Sequence, residues 1–158
     1  MVAKITTGKD IYGALFYNQE KVNQRQGVVL STNIIREPEA GNFNVMETSE
    51  EFLRWIPNHY RTEKPVLHIS LNPHIDDKLS DDQLSDIAEK YMQRMGYGEQ
   101  PYMVFKHTDI EREHIHIVSL QVDSTGKKIN DSKRNLRSVA ITEELEQEYG
   151  LNPAKGQE

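Results

Sequence analysis

Apolar residues recur along the chain at two spacings, and the changes between them mark its elements. Residues 2–6 (VAKIT) alternate and predict a first strand. Ile11, Ala14, Leu15 and Asn18 then fall at helical spacing within GKDIYGALFYNQEKV, which predicts a short helix despite Gly13. A β-rich run, GVVLSTNII (27–35), predicts a second strand. A loop holding Pro38 and Gly41 leads to Thr48, which with Glu51 makes a capping-box pattern. Phe52, Trp55, Ile56 and His59 mark the stripe of the helix that follows, and Pro57 kinks or ends it.

The second half is clearer. PVLHISLN (65–72) predicts a third strand. Ser80 caps a helix whose stripe is Leu84, Ile87, Ala88, Tyr91, Met92 and Met95, and Gly96 closes it. PYMVFKH (101–107) and HIHIVSLQV (114–122) predict two more strands joined by the charged loop TDIERE. DSTGKKI reads as a turn, and a last helix carries Ile141, Leu145 and Tyr149 before Gly150. Helices thus interrupt about five strands, two of them joined by a tight connection. That order predicts an α/β fold with a central, mostly antiparallel five-stranded sheet flanked by helices.

Composition narrows the class. A chain of 158 residues suits one domain with its own core. It holds no cysteine, which removes disulfides and thiolate metal sites and fits a reducing cytoplasm. No apolar run reaches transmembrane length and the N-terminus lacks a signal-peptide core, so a soluble cytoplasmic protein is expected. The net charge of −6 argues against a surface that is basic throughout. Its distribution matters more than its sum: between Gln121 and Ser138 the bases Lys127, Lys128, Lys133, Arg134 and Arg137 face only Asp123 and Asp131. Such a basic lip permits a local polyanion site on an acidic protein.

The chemistry concentrates in HTDIEREHIHIVSL (107–120). Side chains in a strand alternate faces, so His114 and His116 share one face with Cβ atoms roughly 6–7 Å apart, close enough for two imidazoles to meet at one cation. If the flanking strands pair, His107 joins them, and three neutral imidazoles on one side of an ion leave its other side open. Imidazole donors suit zinc, manganese, nickel or cobalt better than magnesium. Asp109 can orient a histidine ring through its second nitrogen or be an ordinary turn residue. His68 and Ser70 share a face of the third strand and either flank this site or are satisfied within the sheet.

These residues resemble a known family. HTDIEREHIHIVSLQVDSTGKKI is similar to the metal motif of the relaxase/mobilisation nucleases. These are histidine-hydrophobic-histidine endonucleases that nick plasmids and integrative elements for conjugal transfer. VAKITTGKDIYGALFYNQEKV resembles the segment carrying their nucleophilic tyrosine. HISLNP with LSDDQLSDIAEKYMQRMGYGEQPYMVFKHTD resembles their middle, and LEQEYGL their end. Bacteroides-type mobilisable elements carry versions of this kind. The resemblance implies the histidine-hydrophobic-histidine endonuclease fold over 1–158, as the N-terminal nuclease domain of a longer protein. It implies metal ligands at His107, His114 and His116, a nucleophile at Tyr17, and a divalent ion, manganese or magnesium in the family.

The implied reaction is strand-specific nicking at an origin of transfer, in which a tyrosine oxygen displaces a 3′-hydroxyl and leaves a 5′-phosphotyrosine. The partner is single-stranded or locally melted DNA, with accessory mobilisation proteins as further partners. Lys127, Lys128, Lys133, Arg134 and Arg137 are the candidates for backbone contacts. Tyr12 is the alternative nucleophile, although it lies four residues before Phe16, a spacing at which the two rings pack. Other classes remain open. One is a rolling-circle replication initiator. A second is a metal-dependent DNA hydrolase using Asp109 or Glu111 as general base, and a third is a DNA-binding module without catalysis.

Overall fold

The computed structural model describes residues 1–39, 43–110 and 112–154. Gly41, expected in a loop, and Glu111, a candidate general base, lie outside the described residues. The alternating segments form β1 (Val2–Gly8), β2 (Gly27–Asn33), β3 (Val66–Asn72), β4 (Tyr102–His107) and β5 (His114–Leu120). The periodic segments form α1 (Ile11–Asn23), α2 (Val45–Trp55), α3 (Asp81–Met95) and α4 (Arg134–Tyr149). The strands make one sheet in the order β1-β3-β5-β4-β2, with every pairing antiparallel. No described helix is long and apolar enough to cross a membrane.

Period two in the strands builds a core on each face. Leu67, Ile69, Leu71, Val104, Ile115 and Ile117 pack on one side with Leu84, Ile87, Tyr91 and Met92 of α3 and Leu145 of α4. Val66, Met103, Phe105, Val118 and Leu120 pack on the other with Ile11 and Leu15 of α1 and Phe52 of α2. The histidine-bearing positions of β4 and β5 are in register with this second set. The three histidines therefore lie on the sheet face that α1 covers.

The helix ends follow local chemistry. Ser80 accepts from the Gln83 amide at 3.1 Å while the Gln83 side chain accepts from the Ser80 amide at 2.9 Å, a full capping box. Gly96 closes α3 in the left-handed conformation at φ 93°. The expected Thr48 cap is corrected: the cap lies four residues earlier, at Asn44, whose Oδ1 accepts from the Glu47 amide at 3.0 Å. Asn is among the strongest caps, and Thr48 is left buried one turn inside the helix. Ile56 is extended before Pro57, as the residue preceding a proline must tend to be, so α2 stops at Trp55. β2 ends two residues short of the expected 35, because Ile34 turns at φ 68° and the Ile35 amide bonds back to the Asn33 carbonyl. That turn drops Ile35 into the core while Ile34 stays exposed. β5 likewise stops at Leu120, and Val122 instead bridges Lys128 across the expected turn.

Candidate active site

The pairing of β4 with β5 sets His107 directly opposite His114 and Phe105 opposite His116. All three histidines project from the α1 side, as the two-residue period requires. Each offers one nitrogen that lies within 4.8 Å of the others'. The ring centroids of His107 and His116 are 3.9 Å apart, and His114 lies 5.4 and 4.9 Å from them.

Hydrogen bonds decide which nitrogen of His107 and of His114 is bare. Asn18 is buried in α1, and its amide nitrogen donates to the Ala14 carbonyl at 2.8 Å. Its oxygen is therefore turned toward His107 and accepts from Nε2–H at 2.8 Å, which leaves His107 Nδ1 a lone pair. His114 Nδ1–H donates to the Arg112 carbonyl at 3.2 Å, leaving Nε2 bare. His116 Nδ1 lies 2.9 Å from His68 Nε2. With the proton on His116 Nδ1, Nε2 is bare there too.

His107 Nδ1 and His116 Nε2 are buried without a partner among the described residues. Orphaned buried nitrogens are costly in an ordinary interior. Three imidazole nitrogens within 4.8 Å of one another, two of them unpartnered, are instead what a divalent cation requires, so the residues present fit a metal ion.

Burial reinforces this state. It pushes the His107 imidazole down to about 4 and His116 down to about 2, each helped by the neighbouring imidazoles. Burial also lowers His68. At neutral pH His107 and His116 are therefore uncharged and ready to donate.

Tyr17 reaches the same point from α1. Its ring centroid is 6.0 Å from that of His107 and 6.5 Å from that of His116, and the residue is 47% exposed. Tyr12 instead stacks on Phe16 with centroids 6.2 Å apart. It comes from another side of the helix, and among the described residues none of its ring contacts involves a histidine.

Asp109 also arrives, but from an unexpected side. Its Oδ1 lies 3.6 Å from His114 Nε2, the bare nitrogen, because the Arg112 carbonyl already holds Nδ1. Its Oδ2 pairs with Lys21 Nζ at 2.9 Å. Burial alone would raise this carboxyl, but the Lys21 hydrogen bond and charge hold it below its ordinary value. Lys21 Nζ also stands 5.6 Å from the Tyr17 ring centroid. Asn18 and Lys21 were missing from the sequence-based site. The signal for Asn18 was a polar residue on an apolar stripe; for Lys21 it was a position one helical turn beyond the tyrosine.

The basic lip sits elsewhere. It follows the far end of β5, six residues or about 20 Å along the strand from His114. Arg137 donates to the carbonyls of Met95, Asn130 and Ser132, and Arg134 donates to Gln121 Oε1 at 3.1 Å. Lys128 pairs with Asp131 at 3.3 Å, while Lys127 and Lys133 are exposed. The structure thus unites His107, His114, His116, Tyr17 and Asp109, and leaves the five basic residues apart.

No curated protein matches the chain. A family model described as relaxase, MobA/VirD2-like, nuclease domain matches residues 17–151, beginning at Tyr17 itself and taking in all three histidines. Since that match spans most of the chain, the protein belongs to the relaxase family, MobA/VirD2-like, through its nuclease domain.

Proposed function

We propose that this domain nicks one DNA strand at an origin of transfer by tyrosine transesterification, in support of plasmid or integrative-element mobilisation in the cytoplasm. The observation that carries the proposal is the convergence of three bare imidazole nitrogens beneath the exposed phenol of Tyr17. A divalent ion held by His107, His114 and His116, manganese or magnesium in the first instance, would offset charge developing on the phosphate oxygens.

The protein's own groups do the rest. Tyr17 Oη attacks phosphorus, the new O–P bond replaces the bond to the 3′-oxygen, and the phenol proton ends on the departing 3′-hydroxyl. One phosphodiester replaces another, so the strand can be rejoined. Asn18, His68 and the Arg112 carbonyl hold the three rings in the tautomers that leave the donor nitrogens free. Lys21 fixes Asp109, whose open oxygen stays beside the donor atoms, and its own charge sits against the phenol ring. The exposed Lys127, Lys128 and Lys133 suit backbone contacts with DNA far from the scissile phosphate. Arg134 and Arg137 serve first to fasten the segment that carries those lysines.

Incubation with manganese and a single-stranded oligonucleotide from the element's transfer region should give a protein–DNA band that survives denaturation. Tyr17→Phe should abolish the band and Tyr12→Phe should not. A band that persists in Tyr17→Phe refutes the nucleophile. Free 5′-phosphate without any adduct favours a hydrolase with Asp109 as base.

A further inference from the structure

Two residues of the α1 region have no part in this chemistry. Asp10 stands at the N-cap position but makes no capping hydrogen bond, and Gly13 weakens the first turn of the helix. They are linked, because a Cβ on Gly13 would fall 2.5 Å from Asp10 Oδ2. The missing side chain is what lets the carboxylate fold back along the helix. So placed, Asp10 lines a cleft of about 310 Å³ between the end of β1 and α1. Thr7 and Ala14 form its walls, and Tyr17, Asn18 and His68 join it to the catalytic cluster. No lysine or arginine is among its described lining residues.

A cleft with a carboxylate and no cation repels a phosphate, and its volume is at the small end for ligand pockets. Single-stranded DNA offers something better suited: a base whose Watson–Crick edge is unpaired. On the transesterification reading, we infer that this cleft seats the base of the nucleotide next to the scissile phosphate, with Asp10 accepting hydrogen bonds from its Watson–Crick edge. Guanine matches best. Its N1–H and amino group are adjacent donors, and a carboxylate presents two acceptor oxygens side by side. Asp10 is thereby a specificity residue and Gly13 the residue that positions it.

The test uses the wild-type protein in EDTA and fluorescent oligonucleotides from the transfer region, read by anisotropy. At each position flanking the nick the natural base is replaced by an abasic site, and each guanine also by hypoxanthine, which lacks the amino donor. One flanking guanine should stand out, with hypoxanthine weakening binding about tenfold, as loss of one charge-assisted hydrogen bond predicts. Asp10→Ala and Gly13→Ala should both erase that difference, while the manganese affinity of Asp10→Ala stays at the wild-type value. Equal binding of all substituted oligonucleotides, or discrimination that survives in Asp10→Ala, overturns the inference. The adduct assay separates this from its foundation: an adduct without base discrimination sinks only the cleft, and no adduct sinks the nicking reaction itself.

Discussion

Replacing Asn18 with leucine tests the link between the helix and the proposed metal ligands. Asn18 is 1% exposed and spends both halves of its amide, donating to the Ala14 carbonyl and accepting from His107 Nε2–H. Leucine keeps most of the volume and removes both bonds. His107 can then relieve its stranded N–H by moving the proton to Nδ1, the atom meant for the ion. Loss of a ring's orienting partner commonly lowers metal affinity 10–100-fold, which corresponds to about 1.4–2.7 kcal/mol. The metal-free protein should also lose roughly 1–3 kcal/mol, the cost of a buried polar group left unsatisfied. Titration calorimetry with manganese measures the first quantity and urea unfolding the second. Asn18→Asp keeps an acceptor for Nε2–H and should recover most of the affinity, while burying a charge that destabilises the metal-free state. Wild-type manganese affinity in Asn18→Leu, or Asn18→Asp binding as weakly as Asn18→Leu, would refute the tautomer argument.

Lys21→Met frees Asp109 Oδ2 and should lower manganese affinity several-fold, with recovery in Lys21→Arg; calorimetry on the two variants decides it. The Tyr91 phenol is pushed up to about 12, mainly by burial, and shares a 2.7 Å hydrogen bond with Ser138. Between pH 10 and 12 the unfolded chain therefore loses this proton first. The stabilisation is whole below pH 10 and fades as pH rises toward 12, at up to about 1.4 kcal/mol per pH unit. Urea midpoints should show that alkaline slope in the wild type and a shallower one in Tyr91→Phe. Ser80→Ala breaks the capping box of α3 and should destabilise the domain by about 1 kcal/mol in the same unfolding assay.

What the sequence revealed and what it hid follow from the range of the interactions involved. The shared face of His114 and His116 needs only strand periodicity, and His107 joined them because a six-residue loop (108–113) leaves β4 and β5 little choice but to pair. The stripe and caps of α3 are equally local. In the sequence Asn18 is merely part of a helical stripe, because its partner is 89 residues away. His68 could be satisfied in several ways, and only the placing of β3 beside β5 made His116 its partner. Asp109 approaches from an unforeseen side because a backbone carbonyl in its own loop claimed the nitrogen first. The five basic residues cluster in sequence near the histidines, yet β5 runs away from the site before reaching them. Proximity along a strand is distance in space.

The strand order has a consequence for how firmly the three histidines are held. β5 is the middle of five, with β3 bonded along one edge and β4 along the other. Its amides should therefore exchange with deuterated solvent only when the whole domain opens, whereas β1 and β2, each with one free edge, exchange through smaller fluctuations. Two of the three imidazoles thus ride on the slowest-exchanging part of the molecule. On the proposed reading an ion would meet a socket already set before it arrives, and the entropy of assembling that socket would have been settled by folding itself.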